Sequence, residues 1–270
     1  MYGTDLQSRA TNNIQIGLTE LPEDGSPAHL ELVRQWLQDC DDDHVDSHCH
    51  AAKTERMTGR LKKLPKRFID VGKVGEAEVH LREPGDGNVV EWVALSHRWG
   101  SGPHYSTNRK NLDSHVKGIE VESLPATFRD AITVTRALGI QYLWVDSLCI
   151  VQGPGGDFNQ EAKRMEDVYS GAYCVIAASR ATGHYSGFLG ERKARDYVGL
   201  QGEGENEAPF YICEMIDDFS GHVLAGEMNR RGWVLQEHAL ARRTIFFTEH
   251  QTYFECGEGV RCQTLTKMKK

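Results

Sequence analysis

The chain has 270 residues, 39% of them hydrophobic and 26% charged, with a formal net charge of −8 at pH 7. That balance excludes a disordered chain and allows one large domain with sizeable insertions, and the acidic excess argues against a nucleic-acid surface, which draws on clustered Lys and Arg. Its seven cysteines are odd in number and follow no secretory leader, so thiols rather than a disulfide framework are expected. No apolar run approaches the roughly eighteen residues a membrane span needs, so a cytoplasmic protein without membrane contact is expected.

Residues 1–25 are polar and weakly patterned. Over residues 29–40, Leu30, Val33, Trp36 and Leu37 recur at helical spacing, which predicts an amphipathic helix. Cys40, His44, His48, Cys49 and His50 follow within eleven residues. Their spacing matches no common zinc pattern closely, so this cluster is expected to be a metal-free packed or exposed loop. Residues 68–71 and 78–83 read as short strands, and the turn Pro84-Gly85-Asp86-Gly87 predicts a hairpin into a longer strand over 89–96.

That strand runs into His97-Arg98-Trp99-Gly100. Pro125 then opens a helix whose inner face is Phe128, Ala131, Ile132, Thr135 and Leu138, with Gly139 as its C-terminal cap. Strand 142–146, a helix near 157–169 and strand 173–178 complete a strand, helix, strand order, which predicts a βαβ unit in a parallel sheet. Ligands of such sheets bind beyond the carboxyl ends of the strands. This brings residues 96–100 and 146–149 to one edge, with Asp146, Ser147 and Cys149 as candidate site residues.

On a helical wheel with Phe158 as zero, Ala162, Met165, Val168, Tyr169 and Ala172 all fall within roughly 80° of it on one arc, and Glu161 lies inside that arc. A carboxylate facing the packed side costs several kcal/mol unless it is paired or hydrogen-bonded. Glu161 is therefore either a structural acid bonded to a neighbouring backbone group or Arg, or an acid or base at the mouth of the sheet.

Downstream, residues 183–190 and 201–208 read as surface connections and 210–213 as a strand. A short helix begins after Arg231-Gly232-Trp233, and residues 244–248 and 252–256 alternate like hairpin strands. Lys267, Lys269 and Lys270 form a basic tail.

Four segments together, WVALSHRWG (92–100), LPATFRDAITVTRALGIQYLWVDSLCIVQ (124–152), DFNQEAKRMEDVYSGAYCVIAAS (157–179) and RRGWVLQEHALARRTIFFT (230–248), resemble the fungal heterokaryon-incompatibility (HET) domain. Trp36, Cys40, His48, Cys49 and LPKRFID (64–70) are similar to the family's upstream pattern. His97-Arg98 and Phe158 depart from it, Phe158 standing where Trp is usual. The resemblance implies a module of fungal nonself recognition whose activation leads to programmed cell death. The family has been compared with Toll/interleukin-receptor (TIR) domains, some of which cleave NAD with a helix Glu behind an aromatic-x-x-Glu pattern, and Phe158-Asn159-Gln160-Glu161 is similar to that pattern.

The expected architecture is α/β, with a TIR-like, flavodoxin-like parallel sheet flanked by helices. It carries an N-terminal helical extension (1–60), the HET domain (61–260, core about 89–180, β-rich C-terminal insertion 181–260) and a basic tail (261–270). The expected function is a cell-death effector hydrolysing NAD as substrate, with no cofactor and no metal, and Glu161 as the catalytic carboxylate. Trp99 or Trp233 would stack on a flat base and Arg98 or Arg231 would pair with pyrophosphate, in a site with Ser96, Asp146, Ser147 and Cys149. Taken singly, the tryptophans better suit core packing, and the arginines better suit ion pairs with acids such as Asp146 or Glu237. The alternative is a non-catalytic signalling or oligomerisation module acting through copies of itself or a protein partner. Cys149 as a nucleophile with His97 has no spacing rule behind it.

Overall fold

The computed structural model describes residues 18–44, 49, 64–84, 91–200, 210–230 and 237–268. A ten-stranded mixed sheet runs through the molecule. Its centre is β3 (Trp92–Ser96), buried at every position. This strand pairs in parallel with β5 (Tyr142–Trp144) on one side and β6 (Cys174–Ala177) on the other, and β6 pairs in parallel with β9 (Thr244–Phe247). A strand buried on both faces needs a continuous apolar run, and WVAL supplies it.

In chain order the four parallel strands lie 2-1-3-4, the order of flavodoxin-like sheets. Antiparallel strands extend both edges. Beyond β5 come β1 (Phe68–Asp70), β2 (Glu78–Arg82) and β4 (Ile119–Glu120), and beyond β9 come β10 (Thr252–Cys256), β11 (Gly259–Cys262) and β12 (Lys267–Met268). A separate ribbon of β7 (Tyr197–Leu200) and β8 (Phe210–Cys213) leaves Val198, Leu200, Tyr211 and Ile212 exposed.

Helix α1 (Pro27–Asp43) is capped by Ser26, which accepts from the His29 amide, with proline in the first turn. Helix α2 (Leu112–Lys117) precedes β4, and α3 (Ala126–Ala137) crosses from β3 to β5. It ends at Gly139, whose φ of 73° supplies the left-handed residue a helix C-terminus favours. A single turn, α4 (Asp146–Cys149), follows β5. The route to β6 is α5 (Phe158–Glu161), a 3₁₀ turn and α6 (Met165–Gly171). No helix among the described residues is long and apolar enough to cross a membrane.

Four expectations are corrected. β2 does not form a hairpin with β3, because its partners are β1 and β4. The helix expected over 157–169 is broken by the 3₁₀ turn, so Phe158 is 51% exposed while Glu161 is buried, and a wheel anchored on Phe158 assigns the wrong inner face at its start. The C-terminal strands are not an insertion, since β9 is the fourth parallel strand. Residues of the expected basic tail form β11 and β12, where Arg261 bonds to Asp39 of α1.

Helix α1 also shares the main core rather than standing outside it. Val33, Trp36, Leu37 and Cys40 pack with sheet residues, and the Trp36 indole stacks on Phe254 at 6.3 Å. Trp36→Ala is therefore expected to lower the unfolding free energy by about 3–5 kcal/mol in one cooperative urea transition. An unchanged midpoint would show α1 to be peripheral.

Candidate functional site

The strand order reverses between β3 and β6, and this is the position where ligands of open parallel sheets bind, beyond the carboxyl ends. The residues that leave β3 there are Ser96, His97, Arg98 and Trp99, and those that leave β6 are Ala178, Ser179 and Arg180. Their loops cross closely. Gly100, with φ of 78°, has no room for a side chain, because a Cβ there would sit 2.9 Å from the Gly183 Cα.

Two hydrogen-bonded pairs form under the crossing. The Ser96 hydroxyl donates to the Glu237 carboxylate, and the Tyr169 hydroxyl of α6 donates to the Leu95 carbonyl at 3.4 Å, with the Glu237 charge close by. Burial, and then the charge of Glu237, hold the Tyr169 phenol well above its usual range. The second pair is the Trp99 indole N–H donating to Asp146 Oδ2 at 2.8 Å, while Oδ1 accepts from the Ser147 amide at 2.6 Å. His97 Nδ1 lies 4.0 Å from the same carboxylate. The imidazole of His184, reached from the loop after β6, packs against His97, Trp99, His104 and Phe128.

A cavity of about 470 Å³ opens beyond the carboxyl ends of β6 and β9, lined among others by Ser179, Arg180, Thr182, His222 and His250, and Arg98 reaches it from the end of β3. Arg98 Nη1 bonds to Glu227 at 2.6 Å and its Nε to the Ala181 carbonyl at 2.9 Å; Arg180 Nη1 bonds to the Gly190 carbonyl at 3.0 Å. Both guanidiniums are thereby held at the cavity wall. A second cavity of about 600 Å³, lined by residues of 20–24 and 191–197, shares Glu249 and His250 with the first.

The structure thus brings together Ser96, Trp99 and Asp146, with Arg98 leading from them to the cavity. Glu161 is buried, but elsewhere. Its carboxylate bonds to Arg164 at 2.9 Å and accepts from the Lys66 amide at 3.3 Å, beside the Arg67 to Asp157 ion pair. Ser147 is fully buried, with its carbonyl accepting from the Thr107 amide. Cys149 is sealed beneath β5, where the Val145 amide donates to its sulfur at 3.4 Å and burial pushes the thiol up to about 12. Both are packing residues, and a thiol held protonated is no nucleophile. Arg231 and Trp233 lie outside the described residues. Glu237, His184 and Arg180 were not singled out from the sequence as site residues. Arg180 follows the apolar run of β6 just as Arg98 follows β3, a signal that was available, whereas nothing local marks Glu237 or His184.

The family model described as Heterokaryon incompatibility protein (HET) matches residues 92–237, more than half of the chain. No curated protein and no solved structure matches it.

Burial, and then the neighbouring His97 and His104, lower the His184 pKa to about 4, below the roughly 6.5 of an unfolded histidine. The unfolded chain therefore takes up a proton first, so this contribution to stability is whole above pH 6.5 and is lost as pH falls towards 4. Between pH 7 and 5 the wild type should lose roughly 1–2 kcal/mol more than His184→Gln in paired urea titrations. Equal losses in both proteins would contradict this.

Proposed function

The chain belongs to the heterokaryon incompatibility (HET) family, with its role in incompatibility and cell death, and from that premise we propose that it acts as an effector hydrolysing the nicotinamide–ribose bond of NAD. The observation that carries the reading is a cavity at the carboxyl ends of the parallel strands, next to the strand-order reversal and walled by Arg98 and Arg180. Guanidiniums suit the paired oxygens of a pyrophosphate. A volume of about 470 Å³ is within the usual range of small-molecule sites, and the adjoining cavity gives room for an extended, two-part ligand.

In the proposed reaction the C–N bond to nicotinamide breaks and water adds to the ribose carbon, giving nicotinamide, ADP-ribose and a proton. The ribose passes through an oxocarbenium-like state that a fixed carboxylate stabilises. Two acids compete for that role. The TIR comparison points to Glu161, whose charge is already matched by Arg164. We favour Glu237, which accepts from the Ser96 hydroxyl at the carboxyl end of the central strand, close to the Tyr169 phenol.

A non-catalytic assembly module is the second reading. It is favoured by the mutual pairing of Ser96 with Glu237 and Trp99 with Asp146, and by the exposed apolar side chains of the β7 and β8 ribbon as a surface for further copies or a protein partner.

Purified, concentrated chain incubated with NAD is expected to release nicotinamide. Glu237→Gln, nearly equal in volume and still able to bond its neighbours, should slow this by about 10²- to 10³-fold at an unchanged melting temperature, while Glu161→Gln retains activity. Loss on Glu161→Gln alone, with an intact fold, would transfer the role to Glu161. No release by the wild type at any concentration would leave the assembly reading.

A further inference from the structure

Three cysteines and a histidine from opposite ends of the chain meet at the C-terminal end of α1. Cys40 lies in its last turn and His44 is its C-cap residue, whose backbone N–H bonds to the Cys40 carbonyl. Cys49 comes from the following segment, and Cys256 ends β10 at the hairpin into β11. The potential ligand atoms of all four lie within 4.8 Å of one another.

The imidazole Nδ1 of His44 lies 3.3 Å from the sulfur of Cys40, 3.8 Å from that of Cys49 and 3.7 Å from that of Cys256. Zinc bonds of about 2.3 Å to sulfur and 2.05 Å to nitrogen at tetrahedral angles put N and S about 3.6 Å apart. The three N–S distances therefore match three edges of a zinc tetrahedron to within about 0.3 Å. The Cys40 thiol also meets the sulfurs of Cys49 and Cys256, and all three cysteines are almost wholly buried.

We propose that Cys40, His44, Cys49 and Cys256 bind one structural zinc ion. Four protein ligands leave no open position for substrate, and the Cys₃His set is one that structural zinc adopts. Binding converts the thiols to thiolates with release of their protons, while His44 coordinates as the neutral imidazole. The resulting site carries one net negative charge. Arg243, which pairs with Asp41 and donates to the Tyr173 carbonyl, lies beside the cluster.

The ion would tie α1 to the antiparallel end of the sheet, 212 residues apart in sequence between His44 and Cys256. The spacing from Cys40 to His50 did not predict a metal because it holds only three of the ligands; the fourth comes from a distant hairpin. His48 and His50 lie outside the described residues. The proposal is independent of the nucleotide reading of the strand-end cavity.

The test is elemental analysis of the full chain purified from zinc-supplemented medium under reducing conditions. About one zinc per chain is expected. It should be lost in Cys256→Ser, kept in His44→Cys, which leaves a four-cysteine set, and kept in Cys149→Ser, outside the cluster. If Cys256→Ser does not fold, cobalt substitution of the wild type decides, since three thiolates in a tetrahedral site give intense visible absorption. A wild-type chain that carries no zinc and takes up neither zinc nor cobalt would overturn the proposal, as would zinc retained at the wild-type level in folded Cys256→Ser.

Discussion

Parallel pairing of β3 on both of its edges is the constraint from which the rest follows. A five-residue strand with no exposed position must be covered on both faces and flanked on both sides, so the chain leaves it first towards β5 and later returns on the other side as β6. Parallel neighbours require long crossovers, and these are α3 on one route and the broken α5 to α6 segment on the other. Because the two routes leave in opposite directions, a gap opens where β3 and β6 end. The Gly100 and Gly183 crossing, the Ser96 to Glu237 bond and the walls of Arg98 and Arg180 are all arranged around that gap.

The two candidate acids sit in different surroundings. A buried carboxylate matched by a cation and a backbone amide, as Glu161 is by Arg164 and Lys66, is an arrangement that resolves its own desolvation cost. Glu237 accepts from the Ser96 hydroxyl and lies close to the Tyr169 phenol. The Ser96 hydroxyl fixes the orientation of the carboxylate, and a carboxylate held in place can stabilise a developing cation on a substrate. The same contrast explains why Cys149, sealed under β5 with its thiol held protonated, belongs to the core.

The local parts of the fold were legible in the sequence. WVALS, the Pro125 to Gly139 helix and the apolar runs of β5 and β6 each carry their signal within a few residues, and together they give the α/β class and the edge where Ser96, Trp99 and Asp146 meet. What the sequence did not show depends on partners distant along the chain. The alternation of β9 marks a strand but not its parallel pairing with β6, across the long connection of residues 178–243. The apolar stripe of α1 marks a buried helix but not the Phe254 it stacks on. Glu237 looks like any acid of a polar segment until Ser96 and Tyr169 surround it. The exposure of Phe158 went unforeseen because a helical wheel assumes 3.6 residues per turn throughout, and the 3₁₀ turn at Ala162–Arg164 breaks that phase.

The central claim is that the reversal between β3 and β6 is a nucleotide site. A crystal structure of the chain with ADP-ribose or a non-hydrolysable NAD analogue tests it most directly. The account predicts the pyrophosphate between Arg98 and Arg180, with the ribose directed towards Glu237. A ligand bound elsewhere on the chain, or none bound at saturating concentration, would contradict it.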